Sequence, residues 1–382
     1  MPQSLNKKRI AFSVTNCICY DQRVQKIAAT VEKLDCEITI IGRRLGDCCD
    51  SDLVPFKTKR FNMRFKHGFL FYKFFNIRLY FYLLFHKFDL LVANDLDTLL
   101  PNFLVSKLKH LPLVYDSHEY FTGVPELNNK PFRKRIWKSM ERSIFPHLRH
   151  VMTVNDSIAT QYQNEYGVRP EIVRNLARSS KTINGYTHKE LGINESDILL
   201  IFQGAGINID RGGEELVEAI SRTENVTLLI AGAGDVLNDL KEKAESLNLT
   251  GQVRFMPKMS WEELMRFTKS SDAGMTLDKD TNLNYRFILP NKLFDYISAG
   301  IPVISSNRNE VARIISENNC GIIIPSVTPE EIHNAIIKLR DDRMLLNKLR
   351  QNSVKASESL NWESESRKVT EFYKIILSNS TA

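Results

Sequence analysis

Short apolar runs alternate along this chain with stretches whose apolar residues recur at helical spacing. In the first half the runs Arg9–Val14, Glu37–Ile41, Asp89–Ala93, Pro112–Tyr115 and His150–Val154 predict strands. Between them lie predicted helices such as Asp21–Leu34, where Val24, Ile27, Ala28 and Val31 share one face. The beat is cleaner in the second half, at Ile198–Phe202, Val226–Ala231, Val253–Met256, Ala273–Leu277, Pro302–Ser305 and Gly321–Pro325. Ser260 with Glu263, and Thr328 with Pro329 and Glu331, read as capping boxes at helix starts. Alternation of this kind predicts an α/β protein with parallel sheets covered by helices on both faces. Two such sets imply two doubly wound, Rossmann-like domains, 1–176 and 187–360, joined through the polar, aperiodic stretch 174–186. A last helix, 361–382, starts at Asn361 and carries Val369, Phe372, Tyr373 and Ile376 on one stripe. Open sheets of this type bind ligands beyond the carboxyl ends of their strands, so two domains facing each other would enclose a central cleft.

One predicted helix has a polar side that calls for a ligand. In "LPNKLFDYISAGIPVISSN", residues 289–307, Pro290 marks a helix start and Gly300 a stop. Leu293, Phe294 and Ile297 form its apolar face, while Asn291, Lys292, Asp295 and Ser298 lie on the other. A helix N-terminus favours anions, so Lys292 in the first turn is misplaced unless something negative sits beside it. A second loop, "LLIFQGAGINIDRGGEELVEAI", ends a strand at Phe202, carries Gly204 and Gly206, and opens a helix after Arg211. Glycine admits a ligand close to the backbone, and the free N–H groups of a helix start suit phosphate. The glycine spacing is not that of a dinucleotide fingerprint. Arg211 and Lys292 together would hold a diphosphate, and Asp295, one turn beyond Lys292, could accept hydrogen bonds from two ribose hydroxyls. The combination fits a nucleoside diphosphate, against the plainer alternative of a surface helix with a Lys–Asp pair.

Composition narrows the surroundings. The 382 residues are 43% hydrophobic and 25% charged, ordinary values for a protein with large cores. No stretch approaches the length of apolar chain needed to span a bilayer, and the N-terminus reads as a first strand rather than a signal peptide, which implies a cytoplasmic protein. The six cysteines, Cys17, Cys19, Cys36, Cys48, Cys49 and Cys320, lack zinc-site spacing and are expected to be reduced. Net charge is +7 and unevenly placed. From residue 57 to 88 the chain carries Lys57, Lys59, Arg60, Arg64, Lys66, Lys73, Arg78 and Lys87 among many phenylalanines and tyrosines, with its first acidic residue at Asp89. Cations with aromatics point to an anionic membrane surface more than to nucleic acid, unless the helix is half-buried and its cations snorkel.

The segments "LPNKLFDYISAGIPVISS", "DRGGEELVEAI" and "LLIAGAGD" resemble the nucleotide-sugar domain of the retaining glycosyltransferases of family 4, which have the GT-B fold. More loosely, "YDQRVQKIAATV", "LVANDLDTLLP" and "LVYDSHEYF" are similar to the N-terminal half of one branch of that family, and the last helix resembles the segment that crosses back onto it. The resemblance implies that Gly206, Arg211, Asn291 and Lys292 meet the nucleotide-sugar. Asp295 takes the place of the family's ribose-binding glutamate. It implies His118 at the donor sugar and Asp21 and Arg23 on the acceptor side. Where the family commonly has a donor-sugar glutamate this chain has Phe287, and near Ala205 it lacks a usual basic residue. The implied reaction is retaining transfer from a nucleotide-diphosphate sugar to a glycan or lipid-linked acceptor, in surface polysaccharide or lipopolysaccharide assembly. The implied mechanism is front-face displacement, without metal or other cofactor. "NDLD" at 94–97 and "LDKD" at 277–280 contain the acidic doublet that another glycosyltransferase fold uses for a metal-bound nucleotide, but here cations are expected to do that work. A nucleotide-sugar epimerase of similar fold, or a non-catalytic GT-B scaffold, are the alternatives.

Overall fold

A computed structural model of the chain describes residues 7–19, 21–44, 54–124, 127 and 130–379. Two compact units emerge, Met1–Asn175 with Glu365–Ala382, and Leu176–Ser364. The first contains β1 (Lys8–Ser13), α1 (Gln22–Glu32), β2 (Cys36–Arg43), β3 (Lys57–Phe61), α2 (Gly68–Phe85), β4 (Leu90–Asn94), α3 (Leu96–Lys109), β5 (Leu113–Ser117), α4 (Pro131–Ile144), β6 (His150–Thr153), α5 (Asp156–Tyr166) and β7 (Glu171–Ile172). The second contains β8 (Ile198–Gly204), α6 (Gly213–Ile220), β9 (Val226–Gly232), α7 (Leu237–Ser246), β10 (Val253–Met256), α8 (Trp261–Ser270), β11 (Ala273–Thr276), α9 (Leu283–Arg286), α10 (Asn291–Ala299), β12 (Val303–Ser306), α11 (Asn309–Asn318), β13 (Gly321–Ile324), α12 (Pro329–Asp341) and α13 (Arg343–Ser357). The last helix, α14 (Trp362–Asn379), starts in the second unit and belongs to the first from Glu365 onward.

Both sheets are parallel, and both reverse direction of growth at their centre. The first runs β3-β2-β1-β4-β5-β6-β7 and the second β10-β9-β8-β11-β12-β13. The switch points therefore lie between β1 and β4, and between β8 and β11, where open sheets present their binding loops. Strand β8 shows why a parallel strand reads as a continuous apolar run. Ile198, Leu200 and Phe202 pack into one core, while Leu199 and Ile201 pack into another on the opposite face.

Local signals in the sequence are realised at the atomic level. Ser260 Oγ accepts from the Glu263 N–H at 3.2 Å, Thr328 Oγ1 from Glu331 at 3.3 Å, and Asn361 Oδ1 from Ser364 at 2.9 Å. Helix α10 has Pro290 at its N-cap position, without a side-chain cap, and ends on Gly300, whose φ of 77° is the left-handed conformation glycine adopts without penalty.

The stretch 174–186 contains the boundary between the units and packs onto the second: Leu176 and Ala177 enter its core, and Ser180 Oγ donates to Ser298 O at 2.6 Å. Two expectations need correction. The basic stretch does not form one helix, because residues 57–61 pair with β2 as an edge strand. Cys36 and Cys320 are free and buried, but Cys17 and Cys19 are disulfide-bonded; Cys48 and Cys49 lie outside the described residues.

Candidate active-site residues

In the second unit, three charged side chains gather at the switch point between β8 and β11. Arg211 lies in the loop from β8 to α6, Asp278 follows β11, and Lys292 sits in the first turn of α10. Asp278 is buried, and its Oδ1 accepts from Arg211 Nη1 while Oδ2 accepts from Thr276 Oγ1 at 3.2 Å. The Arg211 guanidinium also lies over the Tyr285 ring, 4.4 Å from its centroid, which fixes its plane. Its buried Nε has no hydrogen-bond partner. Lys292 Nζ rests over the Phe202 ring at 4.6 Å.

These charges shape each other's protonation. Burial alone would push the Asp278 carboxyl up, but the Lys292 and Arg211 charges outweigh it and hold it below the usual carboxylate range. Burial lowers Lys292, Asp278 opposes that, and Arg211 adds repulsion. Asp278 is thus the internal anion that accounts for part of the misplaced Lys292. Two cations against one carboxylate still leave an excess positive charge at a helix N-terminus whose first turn holds no acidic residue.

Asp295 lies on the same helix with its carboxylate aimed by two donors. Trp261 Nε1 reaches Oδ1 at 3.0 Å and Gln203 Nε2 reaches Oδ2 at 3.1 Å, while Gln203 Oε1 accepts from Thr268 at 2.8 Å. Asn291 is exposed one residue before Lys292. The glycines of the two loops have different reasons. A Cβ at Gly234 would fall 2.0 Å from Ile207 O, so packing dictates glycine there. At Gly206 a Cβ would meet nothing closer than the Asn208 amide at 3.5 Å, so internal packing does not require that glycine.

In the first unit, the residues named in the sequence converge at the switch point between β1 and β4. Asp21 N-caps α1, accepting from the Val24 N–H at 3.1 Å. Arg23, expected on the acceptor side, is 3% exposed, with all three guanidinium nitrogens hydrogen-bonded within the first unit. Nε and Nη2 grip Asp116 at 2.9 and 2.6 Å, and Nη1 donates to Val173 O at 2.6 Å. His118 is held between two carboxylates. Its Nε2 lies 3.2 Å from Asp116 Oδ2 and its Nδ1 3.3 Å from Asp95 Oδ2, while its backbone N–H donates to Asp95 Oδ1 at 2.8 Å. Burial would lower the imidazole pKa, but Asp95, Asp116 and Asp21 overcome it and raise it to about 9. The ring is therefore an imidazolium at neutral pH, not the neutral donor–acceptor that a lone histidine suggests.

The acidic partners were invisible as partners in the sequence. Asp116 lies 93 residues from Arg23, and Asp95 and Asp278 belong to acidic doublets whose only sequence-level likeness was to the metal motif of another fold, set aside above. Asp97, the other half of the first doublet, accepts from Thr15 Oγ1 at 2.5 Å.

The sequence profile described as glycosyl transferases group 1 matches residues 186–356, and that of glycosyltransferase family 4 matches residues 22–176. The chain belongs to this family of glycosyltransferases and has its two-domain GT-B fold. A chitobiosyldiphosphodolichol beta-mannosyltransferase of Candida glabrata is 22% identical over 254 residues, 59% of this chain and 55% of its own length. The chain thus spans about half the length of the curated relatives it matches. Among solved structures, sucrose-phosphate synthase from Thermosynechococcus elongatus superposes with a TM-score of 0.79 at 14% identity, covering 98% of this chain and 100% of the other. WaaG, a glycosyltransferase involved in lipopolysaccharide biosynthesis, gives 0.73 at 17% identity, covering 95% and 98%.

Proposed function

We propose that this glycosyltransferase moves a hexose from a nucleotide-diphosphate sugar to a glycan or lipid-linked acceptor, with retention and without a metal, in surface polysaccharide assembly. The observation that carries it is the Arg211–Asp278–Lys292 cluster at the N-terminal end of α10, with Asp295 one turn away. The excess cation meets the diphosphate, and the aimed Asp295 carboxylate accepts the ribose hydroxyls. As the glycosidic bond breaks, charge grows on the departing phosphate oxygen, where fixed cations and helix N–H groups stabilise it most. That oxygen takes the proton of the incoming hydroxyl, so no carboxylate nucleophile is needed. The yeast relative's name, which specifies a diphosphodolichol-linked sugar, supports a lipid-linked acceptor.

Lys292→Met tests the cluster, since methionine keeps the contact over Phe202 and removes the charge. Nucleoside diphosphate affinity is expected to fall about tenfold or more, because a charge-assisted hydrogen bond contributes roughly 1.5–3 kcal/mol. Affinity for the uncharged nucleoside should hold. Equal losses for both ligands in calorimetry would remove the phosphate role; Asp295→Asn should weaken both alike.

The lipid-linked acceptor is matched by a surface on the first unit suited to an anionic membrane. No helix among the described residues is long and apolar enough to cross a membrane. Helix α2 buries Phe71, Phe75, Leu79 and Leu83 on one face, yet exposes Phe69, Leu70, Phe74, Ile77, Phe81 and Phe85 on the other. Snorkelled cations alone do not explain an outer face made of rings. Helix α3 packs beside it with Leu100, Leu104 and Leu108 exposed, and α4 adds Phe132 and Ile136. Exposed Lys66, Lys73 and Lys87 supply charge for anionic headgroups. The protein is expected to sediment with anionic vesicles at low salt and to detach as salt shortens the Debye length to about 8–10 Å. Phe69→Ser with Phe85→Ser should abolish the binding and Lys66→Gln with Lys73→Gln should weaken it; indifference of the wild type to such vesicles would overturn the assignment.

A further inference from the structure

Asp95 stands out in the first unit because its backbone is in a conformation that side chains other than glycine's rarely adopt. Its φ of 59° and ψ of 167° fall in a region essentially reserved for glycine, at the carboxyl end of β4. Such a conformation persists only where surrounding bonds over-determine it. Here the Asp95 N–H donates to Asp116 O at 2.9 Å, tying the ends of β4 and β5 together. The strained backbone delivers the carboxylate to His118 twice, at the main-chain N–H and at Nδ1. Asp116 is clamped by Arg23 and takes the other ring nitrogen, so the ring is gripped from both sides.

We propose that Asp95 is the positioning residue of His118, fixing the plane of the ring and keeping it an imidazolium for its work at the sugar. This rests on the reading that His118 meets the donor sugar. Asp116 and Asp95 divide the task unequally. Asp116 is 1% exposed and neutralised by Arg23, whereas Asp95 is 19% exposed beside a ring that is 18% exposed. Asp95 is thus the more accessible of the two carboxylates that hold the ring. The other charges facing this ring are Asp21 at the start of α1 and Asp97 in the first turn of α3; Asp97 in turn feels Glu119 and Arg43. Both ring N–H groups are engaged, by Asp116 and by Asp95, so a sugar hydroxyl arriving on the Asp95 side shares the Nδ1–H with that carboxylate and donates its own proton to it.

Asp95→Asn preserves the shape of the side chain and its acceptor for the His118 N–H, so folding is not at stake. The ring of His118 is titrated by NMR in both proteins, and transfer is measured across pH. Asparagine is expected to lower the His118 pKa by about one unit or more, since an opposite charge at this distance shifts a pKa by 1–3 units. The basic limb of the kcat profile should move down with it. At neutral pH kcat should fall about tenfold, the scale of a misaligned group, with the donor KM unchanged. Asp95→Glu, which restores the charge on a longer arm, should recover part of both. An unchanged His118 titration in Asp95→Asn overturns the proposal, even if His118→Gln abolishes turnover. A shifted titration with an unmoved activity profile also overturns it. The reading of His118 itself fails separately, if His118→Gln leaves turnover intact.

Discussion

Replacing His118 with glutamine is expected to lower turnover about a hundredfold, the cost of misplacing one group at the reacting centre, and to leave free nucleotide affinity unchanged. The nucleotide-binding residues proposed above all lie in Leu176–Ser364, whereas His118 belongs to the other unit. Stability changes as well, because the variant removes the cation between Asp95 and Asp116 and leaves only Arg23, on the Asp116 side, to offset them. The sign follows from linkage. His118 binds its proton more tightly when folded, at about 9, than at its ordinary 6.5, so its contribution is complete below pH 6.5 and lost as pH rises towards 9. The wild type should therefore outlast His118→Gln in urea by the widest margin near pH 6, and by a shrinking margin up to pH 9. Retained turnover, with a stability gap of this shape, would make His118 a structural histidine.

Arg23→Met should lose stability by about 3–5 kcal/mol, the penalty for leaving one partner of a buried ion pair uncompensated. Asp116 is 1% exposed, and its carboxyl stands far below the ordinary range despite burial, because Arg23 and His118 hold it ionised. Removing the guanidinium also frees Val173 O and unsettles the carboxylate that holds His118. The urea midpoint reads the loss directly. An acceptor-binding arginine would behave otherwise, raising the acceptor KM with the midpoint unmoved, and that outcome would restore the role that resemblance implies.

The framework of the fold was legible because a parallel strand buried on both faces leaves a plain mark. Runs such as Ile198–Phe202 are apolar at every position, and Ser260, Thr328 and Asn361 announce helix starts by local chemistry. Strand β3 escaped for the converse reason. Its Lys-Thr-Lys-Arg-Phe is polar at every position before Phe61, on a sheet edge where lysine guards against unwanted pairing, and it merges with the basic stretch that follows. At the candidate sites, glycines, a helix start and a displaced lysine were visible because each departs from a local rule. The carboxylates Asp95, Asp116 and Asp278 were not, because each is defined by a partner distant in sequence. Asp278 meets Arg211 across 67 positions, and only the topology of the sheet brings the two loops to one switch point.

The central claim is transfer from a nucleotide-diphosphate sugar to an acceptor, and one measurement reaches it directly. The protein is incubated with a panel of nucleotide sugars, with and without a lipid-linked glycan, and nucleoside diphosphate and sugar products are followed by NMR. The account predicts that one donor releases its nucleoside diphosphate only when acceptor is present, and that the new linkage keeps the donor's anomeric configuration. Interconversion of the donor sugar without acceptor would mark an epimerase, and no release from any donor would mark a scaffold; either result contradicts the account.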